Sequence, residues 1–131
     1  MPGRSGLTSS SATKTRLARR GRDLFPSRSG GVAYQSPTVN VNPSGERVVP
    51  GASQDPTAVQ IWFFGGSTMW GTSSPDWGTI PAQFQRLAEE QWDRPLAVRN
   101  LGESAWVSTQ SVIPLIQELQ HGRVPDSVVF L

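Results

Sequence analysis

A serine that follows two glycines at the end of an apolar run is the first place in this chain where residue types suit chemistry. The run is Ala58-Val59-Gln60-Ile61-Trp62-Phe63-Phe64, and Gly65-Gly66-Ser67-Thr68 closes it. A serine hydroxyl attacks a carbonyl only when a base takes its proton and N–H donors receive the charge on oxygen. Gly65 and Gly66 permit a tight turn that other residues would crowd, and Ser67 can then aim its own N–H at a developing oxyanion. A second stretch, Asn100-Leu101-Gly102-Glu103-Ser104, follows another short apolar run. The bare backbone of Gly102 can approach the same spot. The competing reading is that Ser67 caps the element after the strand, a common role for serine after glycine.

Other reactive side chains are few. His121 is the sole histidine. It stands at the predicted end of a helix, on the sheet edge opposite the strand carboxyl ends, so it is read as a helix-end or exposed residue and not as the base. Asp76, within Ser74-Pro75-Asp76-Trp77-Gly78, has turn composition. Glu103 is read first as a solvated loop charge and second as a pocket-lining group. Among the tryptophans, Trp70, Trp77 and Trp106 lie on the predicted site loops and offer a flat surface for a substrate. The Gly65–Gly71 stretch has no lysine and lacks the glycine spacing of dinucleotide sites. It also lacks a glycine two residues after Ser67, so it is not the nucleophile elbow of the α/β-hydrolases. The chain contains no cysteine, which excludes disulfides and thiolate chemistry. A lone histidine among scattered carboxylates gives no expected metal site, and no cofactor is implied.

These loops need strands and helices to hold them, and composition says where those lie. Hydrophobic residues make up 36% of the chain without glycine, and they are unevenly spread. Large apolar residues are few in residues 1–57, which are rich in Ser, Gly, Pro and Arg. This segment is expected to be disordered or irregular, with a short hairpin-like stretch between Val32 and Pro50. Residues 1–30 carry seven basic groups and one acid. Without interleaved aromatics this is read as a solvated tail, not a nucleic-acid-binding one. Arg19-Arg20 is followed by polar residues and not by an apolar signal core, and no run approaches the roughly 20 apolar residues of a membrane span. No compartment is assigned and no membrane tether is seen.

From 58 to 131 the pattern is β-α-β-α-β. Strands are predicted over 58–64, 96–100 and 127–131. A helix is expected from Thr79, capped by Thr79 with Pro81 in its first turn and with Ile80, Phe84, Leu87, Ala88 and Trp92 on its apolar stripe. A second is expected from about Thr109 to Gln120, with Val112, Leu115, Ile116 and Leu119 inward, Gly122 at its C-terminal end, and Pro114 tolerated only in a first turn. Nearly unbroken apolar strands alternating with helices call for a parallel sheet with right-handed crossovers. In such sheets, function collects beyond the strand carboxyl ends.

Phe64-Gly65-Gly66-Ser67-Thr68 resembles the first block of the SGNH (GDSL-like) serine hydrolases, with Gly for Asp and Thr for Leu. Asn100-Leu101-Gly102-Glu103-Ser104 resembles the second block, with Ala105 where another glycine often stands. The resemblance covers residues 58–131. It implies a flavodoxin-like three-layer αβα sandwich with a parallel sheet, of which this chain holds the first βαβαβ portion. It further implies ester hydrolysis through an acyl-Ser67 intermediate, with an oxyanion hole from the N–H groups of Ser67 and Gly102. Gly66, Thr68, Asn100 and Glu103 would line the substrate loop, and the substrate would be a small-molecule, carbohydrate or lipid ester. The family's third-block Asn and its late Asp-x-x-His would fall beyond residue 131. The 131-residue chain is therefore expected to be an incomplete fragment with little hydrolase activity alone. Two other readings stay open: a non-catalytic α/β module that binds a ligand or anion, and a truncated product without function.

Overall fold

The computed structural model of the chain describes residues 33–131; the expected basic tail lies outside them. Three strands form one parallel sheet in the order β2-β1-β3. Strand β1 (Val59–Phe64) is central and pairs with β2 (Leu96–Asn100) from Val59 opposite Leu96 to Phe63 opposite Asn100. On its other side it pairs with β3 (Ser127–Phe130), from Ile61 opposite Ser127 to Phe64 opposite Phe130. This is the α/β fold that the apolar runs predict; the β1 run is apolar because that strand is covered on both faces, whereas the equally apolar β3 run is mostly exposed. Ile61 and Phe63 pack on one side with Leu96, Val98, Ala82 and Ala88, while Trp62 and Phe64 pack on the other with Leu101. Burying a side chain such as Phe64, which is fully enclosed, contributes on the order of 1.5–3 kcal/mol.

The loop expected between Ser67 and Gly78 holds two helical turns. Helix α1 (Ser67–Trp70) is a single turn ended by Gly71 in the left-handed region, φ 85°, and a 3-10 turn spans Asp76–Gly78. Helix α2 (Ile80–Gln91) begins as predicted, with Thr79 Oγ1 accepting the Ala82 N–H and Pro81 in the first turn. Helix α3 (Ser108–Gln120) ends at Gly122, which takes positive φ.

Both long helices are rotated partly away from the expected stripes, of which Ala88 and Phe84 in α2 and Leu115 in α3 do pack on the core. In α2, Ile80, Leu87 and Trp92 are exposed, and the buried positions are Pro81, Ala82, Gln85 and Ala88. Gln85 faces the sheet because its amide completes the backbone pairing of β2. Its Oε1 accepts from Val98 N at 3.0 Å and its Nε2 donates to Leu96 O at 3.0 Å. In α3, Val112, Ile116 and Leu119 are exposed while Ser111, Pro114 and Glu118 are buried. Glu118 sets that rotation by accepting from Arg99 of β2 at 2.9 Å and from Arg123 at 2.6 Å. Pro114 lies past the first turn of α3, so the Gln110 carbonyl loses its helical donor; at the helix start, Gln110 Oε1 accepts the Val107 N–H.

Residues 33–57 hold no helix or named strand, yet they are packed and not free. Their pairing is limited to isolated antiparallel bridges, Tyr34–Val41, Val41–Arg47 and Arg47–Asn100. Val41 and Val49 are buried, and Ser53 N donates to Leu96 O. The segment therefore lies along the outer edge of β2. No helix among the described residues is long and apolar enough to cross a membrane.

Candidate active site

The strand order places the chemistry. The chain steps from β1 sideways to β2, then passes back over β1 to β3, so the order reverses at β1. A crevice opens outside the carboxyl ends of strands at such a reversal. The loop leaving β1 there begins Gly65-Gly66-Ser67.

Ser67 is the exposed first residue of α1. The N-cap of that turn is Gly66, and no side chain caps it. The capping reading of Ser67 is thereby set aside: its hydroxyl stands at the surface beside the strand end. Thr68, next to it, is also exposed. The glycines around Ser67 are required by crowding. A Cβ on Gly66 would stand 2.9 Å from Trp106 O, in the second loop. One on Gly65 would stand 2.6 Å from Leu131 O, at the end of β3. Three chain segments thus meet at this point. The Glu103 N–H donates to Gly65 O at 3.0 Å and ties the second loop to the first.

Gly102 and Asn100 do structural work that residue types alone do not reveal. A Cβ at Gly102 would lie 2.5 Å from Trp70 N and 2.9 Å from the Met69 carbonyl carbon, so α1 rests directly on the Gly102 backbone. Asn100 is fully buried. Its Oδ1 accepts the Gly102 N–H at 3.0 Å, and its Nδ2 donates to Met69 O at 3.0 Å. The Gly102 N–H, expected to serve an oxyanion, is here engaged inside the loop. Ala105, at the position of the extra second-block glycine, adopts φ 65°. A non-glycine residue takes that left-handed conformation only at a steric cost.

Two acids differ from their sequence readings. Glu103 is buried, not a solvated loop charge. Asp76 is buried beside Arg47, whose Nε lies 2.7 Å from Asp76 Oδ1. Asp76 also accepts from the Asn40 backbone and side chain. Arg47 donates onward to the carbonyls of Trp70, Gly71 and Ser74. Asp76 is therefore a structural anchor. The guanidinium that holds both the α1 end and the 3-10 turn was invisible in sequence, because nothing local to Gly45-Glu46-Arg47 signals partners 23 or more residues away.

His121 is exposed at the end of α3, its Nδ1 2.6 Å from Gln117 O. Since α3 runs back from the carboxyl edge, His121 lies at the amino edge of the sheet, away from Ser67. Among the described residues, no group of His, Cys, Asp or Glu is placed to hold a metal ion. Over the rear of the sheet, Arg99 stacks on Trp62 at 4.7 Å and pairs with Glu46 and Glu118. Burial would raise the Glu118 carboxyl, but hydrogen bonds from Arg123 and Arg99 outweigh it and lower the pKa to about 2. No protein-family model matches this chain, and no curated protein matches it.

Proposed function

We propose that Ser67 is the acyl-accepting nucleophile of an SGNH-type ester hydrolase. One observation carries the reading: an exposed serine opens a helical turn at the carboxyl end of the central strand, where the strand order reverses, with glycine backbones packed against it from two loops. In the reaction the Ser67 Oγ would attack the ester carbonyl and expel the alcohol, and water would then release the acid from the acyl-serine. The Ser67 N–H is one oxyanion donor. Such a donor contributes roughly 3–4 kcal/mol to transition-state stabilisation. With the Gly102 N–H held by Asn100, this reading needs either a rearrangement of that loop or a donor from elsewhere. It also needs a base beside Ser67, a place that His121, at the end of α3, does not take.

The test pairs labelling with turnover. The protein is treated with a fluorophosphonate and assayed on nitrophenyl esters, beside Ser67→Ala. Covalent label on Ser67, and turnover that the variant loses, support the proposal.

The engaged Gly102 N–H and the distant His121 favour a second reading, an α/β module that binds a ligand at these loops without cleaving it. Under that reading Ser67→Ala leaves binding intact and fluorophosphonate leaves the protein unlabelled.

A further inference from the structure

A cleft of about 610 Å³ lies beside the Ser67 loop, between Trp70 and Trp77. Its size falls within the roughly 300–1,000 Å³ of small-ligand pockets. Thr72, in its wall, donates its N–H to the Ser67 carbonyl at 3.0 Å, so cleft and serine share one turn of chain. Trp77 is 55% exposed, although burying an indole would contribute more than leaving it in water. The turn that carries Trp77 is nevertheless fixed. Arg47 and Asp76 pin it from beneath, and Gln83 Nε2 donates to the Trp77 carbonyl at 2.6 Å. The same guanidinium holds the Trp70 carbonyl and stands 5.7 Å from the Trp70 ring.

The rest of the lining combines hydroxyl groups with Val39, Gly71 and Pro75. Thr72, Ser73, Ser74 and Ser104 surround the cleft, with Thr72 Oγ1 3.3 Å from Ser104 Oγ across its two loops. Ser73 sits at φ 66°, in the left-handed region. The cleft has a single ionisable lining residue, Arg47, which is 3% exposed and already bound to Asp76 and three carbonyls. A carboxylate or phosphate ligand would find no accessible counter-charge here. A fatty chain would displace water from the exposed lining hydroxyls and offer no hydrogen bond in return, while Thr72 and Ser104 would keep their mutual contact.

We infer that this cleft binds a neutral sugar ring, whose apolar C–H face lies on an indole while its hydroxyls meet Thr72 and Ser104. The inference deepens the ester-hydrolase reading and rests on it for the sugar's role, which would be the alcohol part of an acylated saccharide. Binding itself does not need the Ser67 hydroxyl.

The full chain carrying Ser67→Ala is titrated by calorimetry with cellobiose, xylobiose, maltose and diacetylchitobiose. Indole N–H resonances are followed in the same titrations. At least one disaccharide is expected to bind in the millimolar range, to shift the Trp77 indole signal, and to bind about tenfold more weakly to Trp77→Ala, a change of about 1.4 kcal/mol. The indole shift is read with Trp77 in place, so it stands even if that variant folds poorly. Binding of none of the four sugars overturns the inference, as does binding that leaves the Trp77 signal unmoved. Capture of octanoate or nitrophenol in place of every sugar overturns it too. Sugar binding without Ser67 labelling in the parent protein keeps this inference and removes the hydrolase reading; labelling without sugar binding does the reverse.

Discussion

Arg47 and Asp76 form an ion pair at 2.7 Å, both side chains almost wholly buried, and join the irregular entry segment to the loop that follows the candidate nucleophile. Arg47→Met is expected to destabilise more than Asp76→Asn. It strands the Asp76 charge and releases three carbonyls, whereas the asparagine keeps an acceptor for Asn40. Breaking one side of a buried pair costs about 3–5 kcal/mol. Urea unfolding of the two single variants and the double variant measures this. Strict additivity would show that the pair is not coupled.

Asn100 and Gly102 are expected to fail together. Asn100→Ala removes the acceptor of the Gly102 N–H and the donor to Met69 O, leaving buried groups unmade at about 1–3 kcal/mol. Gly102→Ala drives a methyl against the Trp70 backbone nitrogen and should cost about 1–3 kcal/mol as overpacking. Both variants should also displace α1, read as changed Met69 and Trp70 resonances. A Gly102→Ala protein as stable as the parent would mean that the loop yields easily.

Glu118 makes stability depend on acid. Its folded-state pKa, about 2, lies below the ordinary 4.5, so the unfolded chain binds the proton more readily. Its contribution is present above about pH 4.5 and is lost as pH falls from there toward 2. Thermal melts of the parent should decline over that interval. Glu118→Gln should be less stable at neutral pH and should show a shallower decline. Parallel curves for the two proteins would remove Glu118 as the cause.

Gln85→Leu tests the polar seam of α2. The leucine fits apolar surroundings but leaves the Val98 N–H without its side-chain acceptor, a loss of about 1–3 kcal/mol. Hydrogen exchange should quicken at Val98 before it does at the β1 amides. Unchanged exchange there would show that the seam is dispensable.

What the chain revealed before folding follows from how local each signal is. The three strands were legible because a central parallel strand is apolar on successive residues, and the start of α2 was legible because Thr79 and Pro81 act within one turn. The helix faces were not, since hydropathy places Leu87 and Ile116 inside and cannot anticipate that Gln85 bonds β2 or that Glu118 bonds Arg99. The site was legible at Ser67, where strand end, glycines and serine are contiguous. It was opaque at Arg47, and at the Gly102 N–H, whose acceptor is a side chain two residues away that residue type alone leaves uncommitted.

The two sides of the sheet are chemically unlike. Along β2, the Gln85 amide, the Arg47–Asn100 bridge and the Ser53 N–H occupy the outward backbone. Along β3, among the described residues, the backbone pairs only with β1, and Phe130 is 47% exposed beside it. The sheet resembles a polymer with one terminated end and one living end: a further strand has a template on the β3 side and a stopper on the other. Lateral growth, whatever chain supplies it, is therefore one-directional and leaves the Arg47 anchor undisturbed.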